Sequence, residues 1–422
     1  MWRHGDRSPT KTWPKDAVKA DDWIWGGGGF GQLTPRGMRQ HLNLGMKLRN
    51  RYIDSNGTFP GFLPPSYRSD GMYVRSTDIN RTLISAYSNM IGMYGQSTYG
   101  NQGQVDYPVT DGWPSGFVPV PIHTVDHDSD YLLNTDVYCP LRDKWWDAAK
   151  KSAEVQNFTN SPNVSQMLKN LADWTGLVDP QIEDFGSISG GLSIEKIYFP
   201  GQVQNYNWYS DAVFNQIGAM HDQVNLYQNG VFDQPNMFNG VDIGLQLRKL
   251  RAGSFVNEIS SRMQDKIRCN GTTGPDCNWI NNLNMYLYSA HDTTLYAFFS
   301  AIGVEEYAVK PKGSYPQYSA CALIELYQNT SSKDYAFKLI YHKNENTTFE
   351  DETTGIPECK NAKSGYCPIS VFQTIATRVK PDQPIEQWCF SDIPGFSSTS
   401  TGLFMAFTYV TLACLLGNFR FI

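Results

Sequence analysis

The amino-acid sequence predicts an α/β core interrupted by a helical insertion, and three observations carry that expectation. Patterns of strand, loop and helix occur towards both ends of the chain, at residues 71–90 and 285–300. Between them, residues 139–227 show helical patterning rich in aromatics, with no strand alternation and no internal repeat. The 422 residues also exceed a typical domain of about 150, so a large core with insertions can be buried. The expected layout is a core at 1–108 and 240–390, a helical cap at 109–239, a polar linker at 391–402 and an apolar C-terminal segment at 403–419.

Each element has a local reason. Gly26-Gly27-Gly28-Gly29-Phe30-Gly31 is a flexible loop that lacks the Lys-Ser/Thr ending of a phosphate-cradling loop. Thr34 is an N-cap with Pro35 at the first helical position, and Met38, Leu42, Met46 and Tyr52 continue at near-helical spacing to Ile53. Asn56-Gly57 ends that helix. Residues 71–74 form a short strand, and Arg75-Ser76-Thr77-Asp78 caps a second helix through Leu83, Ala86 and Met90. Pro108, Pro114, Pro119 and Pro121 mark an extended crossover into the cap. Helical patterning resumes at 241–266. A buried strand at 285–290 ends at His291-Asp292, and two further strands, 321–327 and 336–341, flank a polar turn.

Composition narrows the function. Charged residues are 18% and aromatics 14%, with 36 Gly and 23 Pro, which excludes a disordered chain. A net charge of −6 excludes a general nucleic-acid binder, so any anion must be held by a local cluster of arginines. Eight cysteines, together with sequons at Asn56, Asn80, Asn157, Asn163, Asn270, Asn329 and Asn346, point to an oxidising, glycosylating compartment. Cys269/Cys277 and Cys359/Cys367 bracket short loops that local bridges could close. The uncharged run at 403–416 follows a Ser/Thr-rich stretch and reads as a membrane anchor; a cleaved glycolipid-anchor signal and a buried helix are the alternatives. Against this, Met1-Trp2-Arg3-His4 contains no secretory signal.

Three stretches concentrate residues suited to chemistry. Arg3-His4-Gly5-Asp6-Arg7-Ser8-Pro9 brackets a histidine with arginines, Arg75 stands where a strand hands over to a helix, and His291-Asp292 follows another strand. Catalytic groups in open α/β sheets gather at that edge. Guanidinium forks match the oxygens of a phosphoryl group through paired, charge-assisted bonds. Read singly, each arginine is a surface ion pair and each histidine a packed core residue; their joint occurrence at strand ends favours a site. The other histidines lack ligand spacing, so neither a metal nor another cofactor is expected.

The first and third stretches together resemble the histidine acid phosphatase family, as do Gly31-Gln32-Leu33-Thr34, Val74-Arg75-Ser76-Thr77-Asp78 and Val256-Asn257-Glu258-Ile259. The likeness is nearer to the prostatic and lysosomal acid phosphatases than to the phytases and covers nearly all of residues 3–390. It implies a phosphoglycerate-mutase-like fold, a mixed, mostly parallel sheet flanked by helices. It also implies hydrolysis of a small phosphomonoester through a phosphohistidine on His4. Asp292 would be the proton donor, and Arg3, Arg7, Arg75 and His291 would hold the phosphoryl oxygens. Cys139 with Cys389 and Cys359 with Cys367 match family disulfides; Cys269/Cys277 looks like a local addition, and Cys321 is left free. Family members are often dimers, so a homodimer is implied too.

Family members carry a hydrophobic strand and a signal peptide before the Arg-His-Gly motif. Here the first core strand is expected to be missing, and the start reads as an incomplete N-terminus of an exported, anchored enzyme facing the exterior or the lysosomal lumen. The competing expectation is a membrane-anchored, catalytically inactive surface glycoprotein on the same fold, which the intact His4 and Asp292 disfavour. The sister branch that includes the phosphoglycerate mutases is a weaker alternative.

Overall fold

The computed structural model describes residues 1–309 and 315–393. Its strands are β1 (Trp2–Arg3), β2 (Met72–Thr77), β3 (His123–Val125), β4 (Met237–Phe238), β5 (Val241–Asp242), β6 (Met285–Ala290), β7 (Cys321–Gln328), β8 (Tyr335–His342), β9 (Glu350–Asp351) and β10 (Cys367–Pro368). Eight of these build one sheet in the order β10-β8-β7-β1-β6-β2-β3, with β9 on β8; β4 and β5 form a separate hairpin. The strands β1, β6, β2 and β3 are parallel, whereas β7, β8 and β10 are added antiparallel. The sheet is therefore mixed, and its parallel half brings the C-terminal ends of β1, β2 and β6 to one edge. That edge is where a ligand finds loops and helix starts instead of sheet.

Helices cover both faces. The first, α1 (Pro35–Tyr52), begins where Thr34 accepts a hydrogen bond from the Gly37 N–H, and it buries Gly37, Gln40, His41, Leu44, Leu48 and Tyr52 along one stripe. It packs with α2 (Asn80–Tyr94) over a core that includes Val74 and Leu287. Next come α3 (Pro140–Lys150), α4 (Ala153–Thr159), α5 (Pro162–Thr175), α6 (Asp184–Tyr198), α7 (Pro200–Asn205) and α8 (Asp211–Gln228). Ser152, Ser161 and Ser210 cap α4, α5 and α8 by accepting from the N–H three residues on. These helices close on their own core around Leu171, Phe185, Ile188 and Ile217, into which Trp13 of the N-terminal loop inserts. After α9 (Ile243–Arg248), α10 (Ser254–Cys269) and α11 (Pro275–Asn282), α12 (Asp292–Ile302) is buried through almost its whole length. Phe255 of α10 and Phe298 of α12 belong to the core that also holds Phe337 of β8.

Four expectations change. The first core strand is present, as the two residues Trp2–Arg3 between β6 and β7. Trp2 is fully buried and its indole N–H donates to Ser289 Oγ at 2.9 Å, while the Met1 amino group donates to the Ala322 carbonyl at 2.9 Å. His4 is thus held by the centre of the sheet. Beside Met1, consecutive residues of β6 and β7 wall an apolar cavity of about 480 Å3. Second, Arg75, Ser76 and Thr77 belong to β2 and do not cap a helix, because they pair with His123, Thr124 and Val125. Third, that pairing places an edge strand in the proline-marked crossover. Fourth, the helix at 241–266 is broken. Asp242 caps α9 through the Gly244 and Leu245 N–H groups, and a π-helical stretch, Lys249–Gly253, precedes α10.

Disulfides join Cys139 to Cys389, Cys269 to Cys277 and Cys359 to Cys367; Cys321 is a free, buried thiol. Met1–Ser391 forms one compact unit. Residues 394–422, which hold the expected anchor and most of the linker, lie outside the described residues. Among the described residues no helix is long and apolar enough to cross a membrane.

Candidate active site

His4 leaves the end of β1 with its backbone fixed on both sides. Its N–H donates to the Ala290 carbonyl at 3.0 Å, and its carbonyl accepts from Ser319 at 3.3 Å. The next residue must be glycine: a Cβ on Gly5 would lie 2.4 Å from the Gly37 carbonyl oxygen, and one on Gly37 would lie 2.3 Å from the Asp6 carbonyl oxygen. This mutual contact seats the loop on the first turn of α1. The loop is held further by Gly5 N–H to Ser85 Oγ at 3.1 Å and by Asp6 N–H to Gln40 Oε1 at 2.8 Å.

The His4 ring has one nitrogen engaged by the backbone. Nδ1 lies 2.8 Å from the Gly5 carbonyl, an acceptor, so Nδ1 carries the hydrogen and Nε2 keeps its lone pair. Burial, followed by the charges of Arg81, Arg3 and Arg7 and by His291, holds its pKa well below the usual imidazole range. His291, 5.7 Å away centroid to centroid, is lowered to about 3 by burial and by Arg81, and Thr77 Oγ1 lies 3.0 Å from its Nε2. Both imidazoles are neutral in mildly acid solution.

The cations converge from three elements. Arg3 of β1 lies under the Tyr318 ring, 4.2 Å from its centroid, with one nitrogen donating to Pro316 O at 2.6 Å and another 2.8 Å from Asp292 Oδ2. Arg7 comes from the loop and Arg81 from the first turn of α2. The Nε–H groups of Arg3, Arg7 and Arg81 are buried without a partner in the protein, donors suited to an anion; that of Arg75 is likewise unpartnered. Arg81 fits beside Gly31, where a Cβ would meet its guanidinium at 3.4 Å. Burial and the neighbouring Arg7 lower Arg81 to about 10, so it remains charged. Asp292 opens α12, whose N-terminus adds partial positive charge. Burial works against its ionisation, but Arg3, Arg7 and His291 outweigh burial and bring it down to about 2.

The structure therefore brings together His4, Arg3, Arg7, His291 and Asp292. Arg75 is engaged elsewhere: its Nη2 is 2.6 Å from Asp130 Oδ1. Asp130 in turn accepts from the Leu132 and Leu133 N–H groups, so Arg75 braces the loop before α3. Arg81 was not singled out from the sequence. Its signal was there: a cation at the second position of a helix opposes the dipole and so needs an anionic partner.

Comparison with known proteins agrees with this geometry. The family model of the histidine phosphatase superfamily (branch 2) matches residues 1–342. The chain is 31% identical over 404 residues to "Putative acid phosphatase 10" of Caenorhabditis elegans, covering 92% of each. It is 29% identical to the lysosomal acid phosphatase of Homo sapiens, covering 90% of this chain and 77% of that one. Among solved structures, the apo form of the Hafnia alvei phytase superposes with a TM-score of 0.61 at 14% identity, over 92% of this chain and 96% of that one, a likeness of fold. The chain belongs to branch 2 of the histidine phosphatase superfamily, a family of phosphatase enzymes.

Proposed function

We infer that the protein hydrolyses phosphate monoesters in two steps through His4. The observation that carries this reading is the neutral His4 ring, its Nδ1–H given to the Gly5 carbonyl and its Nε2 lone pair set among guanidiniums whose Nε–H groups lack partners. Arg3, Arg7 and Arg81, with His291, bind the phosphoryl oxygens. Nε2 attacks phosphorus, the ester P–O bond breaks, and the leaving oxygen takes a proton from Asp292. Water then attacks the phosphohistidine, the P–N bond breaks, and Asp292 takes the proton that water gives up.

Asp292 is a carboxylate in the substrate-free site and must acquire its proton on binding. A phosphoryl anion on Arg3 and Arg7 neutralises the charges that hold Asp292 down, leaving burial to raise it. The monoanionic ester supplies the proton, and since the second phosphate pKa is about 6, turnover favours acid solution. Replacing His4 by Ala tests the reading with an aryl phosphate at acid pH: the expected loss in kcat is on the order of 10⁵-fold or more. Activity unchanged by that substitution would overturn it.

The lysosomal acid phosphatase relatives and the three disulfides support a lumenal or extracellular location. The apolar run at 403–416 supports a C-terminal anchor. Carbonate extraction of membranes tests that anchor, and release into the supernatant would exclude it.

A further inference from the structure

The loop that carries His4 and Arg7 continues past the arginines and crosses the last turn of α6. Val18 and Trp23 pack there against Ile194, Tyr198 and Phe199. Glu195 and Tyr198, three residues apart on one helical face, each meet a carboxyl of the loop. The Tyr198 hydroxyl donates to Asp6 Oδ2, and Glu195 contacts Asp16. Asp16 and Glu195 are 2% and 1% exposed.

Counting hydrogens shows what the contact requires. The Val18 N–H and the Tyr206 hydroxyl both donate to Asp16 Oδ1, at 2.8 and 2.7 Å. The Tyr206 oxygen accepts the Ala17 N–H at 3.1 Å and lies 3.4 Å from Glu195 Oε2. Its single proton is already directed at Asp16, and Asp16 Oδ2 is buried with no donor. Two touching carboxyls form a hydrogen bond only when a proton lies between them. Lys19, on the same loop, and Tyr206 also act on the pair.

We propose that Glu195 is a positioning residue of the catalytic loop: it shares one proton with Asp16, and that proton clamps the loop to α6 so that His4 and Arg7 stay in place for phosphoryl transfer. The inference rests on the His4 reading above. Burial and the adjacent Asp16 raise Glu195 to about 9. A carboxyl raised in the folded state contributes stability that is complete below the ordinary carboxyl range and is lost as pH climbs towards the folded value. Acid solution therefore keeps the clamp closed, and alkaline solution places two buried carboxylates in contact.

The test uses the full chain with Glu195→Gln and Asp16→Asn, following urea unfolding, kcat and KM from pH 5 to 9. In the wild type the unfolding equilibrium should shift towards the unfolded state by up to about tenfold per pH unit over this window. Glu195→Gln, whose amide hydrogen replaces the shared proton, should flatten that profile and extend kcat to higher pH with little change in KM. Infrared spectra of the wild type at pH 7 should show a protonated-carboxyl band that is absent from Glu195→Gln. Parallel stability profiles, or no such band in the wild type, would overturn the shared proton whether or not the variants fold. A flattened stability profile with an unchanged pH dependence of kcat would overturn the positioning role. The stability and infrared arms do not depend on chemistry at His4, so they stand apart from the His4→Ala test.

Discussion

One loop connects two buried ionisable clusters that burial treats in opposite ways. At its start, His4 is surrounded by Arg3, Arg7 and Arg81, and burial and charge together keep it unprotonated. Further along, Asp16 and Glu195 have no such excess of cations, and burial keeps a proton in place. Asp292 shows that the sign of the neighbours decides: it is buried as well, but the nearby arginines reverse the effect and ionise it. Low dielectric amplifies whichever charges surround a group. An imidazole kept neutral and a carboxyl kept protonated are two results of that one rule.

The comparison is broken most severely at its cationic end. Arg81→Ala should lower kcat/KM for an aryl phosphate by about 10²–10³-fold, the usual loss for one donor to developing charge. Arg75→Ala, which frees Asp130, should cost less than about tenfold; steady-state kinetics on both variants decides which arginine faces the substrate. Asp292→Asn should cost about as much as Arg81→Ala or more, since general acid catalysis contributes about 10²–10⁴-fold. The loss should be large for alkyl phosphates and small for nitrophenyl phosphate, whose leaving group needs no proton.

Smaller effects concern stability. Gly37→Ala forces a Cβ towards the Asp6 carbonyl and should cost about 1–3 kcal/mol in urea unfolding. His41, buried beneath β1 with its Nε2 3.0 Å from the Arg3 carbonyl, is lowered to about 3 by burial. A depressed histidine contributes stability that is present above its ordinary value near 6.5 and is lost as pH falls towards 3. His41→Gln should therefore flatten the acid side of the stability profile, the mirror image of what Glu195→Gln does on the alkaline side.

The parts of this arrangement that were legible in the sequence are local. Thr34-Pro35 announces α1, and residues 285–290 followed by His291-Asp292 read as a strand delivering polar groups to a sheet edge. The mixed sheet followed from the resemblance, not from periodicity. Arg75 was read as part of a helix cap, because the end of β2 cannot be told from a cap without its pairing to β3, and its partner Asp130 lies too far along the chain to be foreseen. Arg81 was not singled out, because only the fold sets its guanidinium beside Gly31. The Asp16–Glu195 contact has no local signature at all: neither residue is unusual for its neighbourhood, and only the crossing of the loop over α6 brings them together. Two residues were also enough to form β1, because neighbouring edges on both sides supply its hydrogen bonds.

The most direct test of the central claim is chemical trapping of the intermediate. The wild-type protein would be mixed with a labelled aryl phosphate at acid pH and quenched within milliseconds into alkaline denaturant, which preserves phosphohistidine. Peptide mass spectrometry would then locate the label. We expect a phosphoryl group on the peptide that contains His4, none in His4→Ala, and a burst of alcohol that matches the trapped phosphate. Turnover with no label on His4, or with label on another residue, would contradict the mechanism.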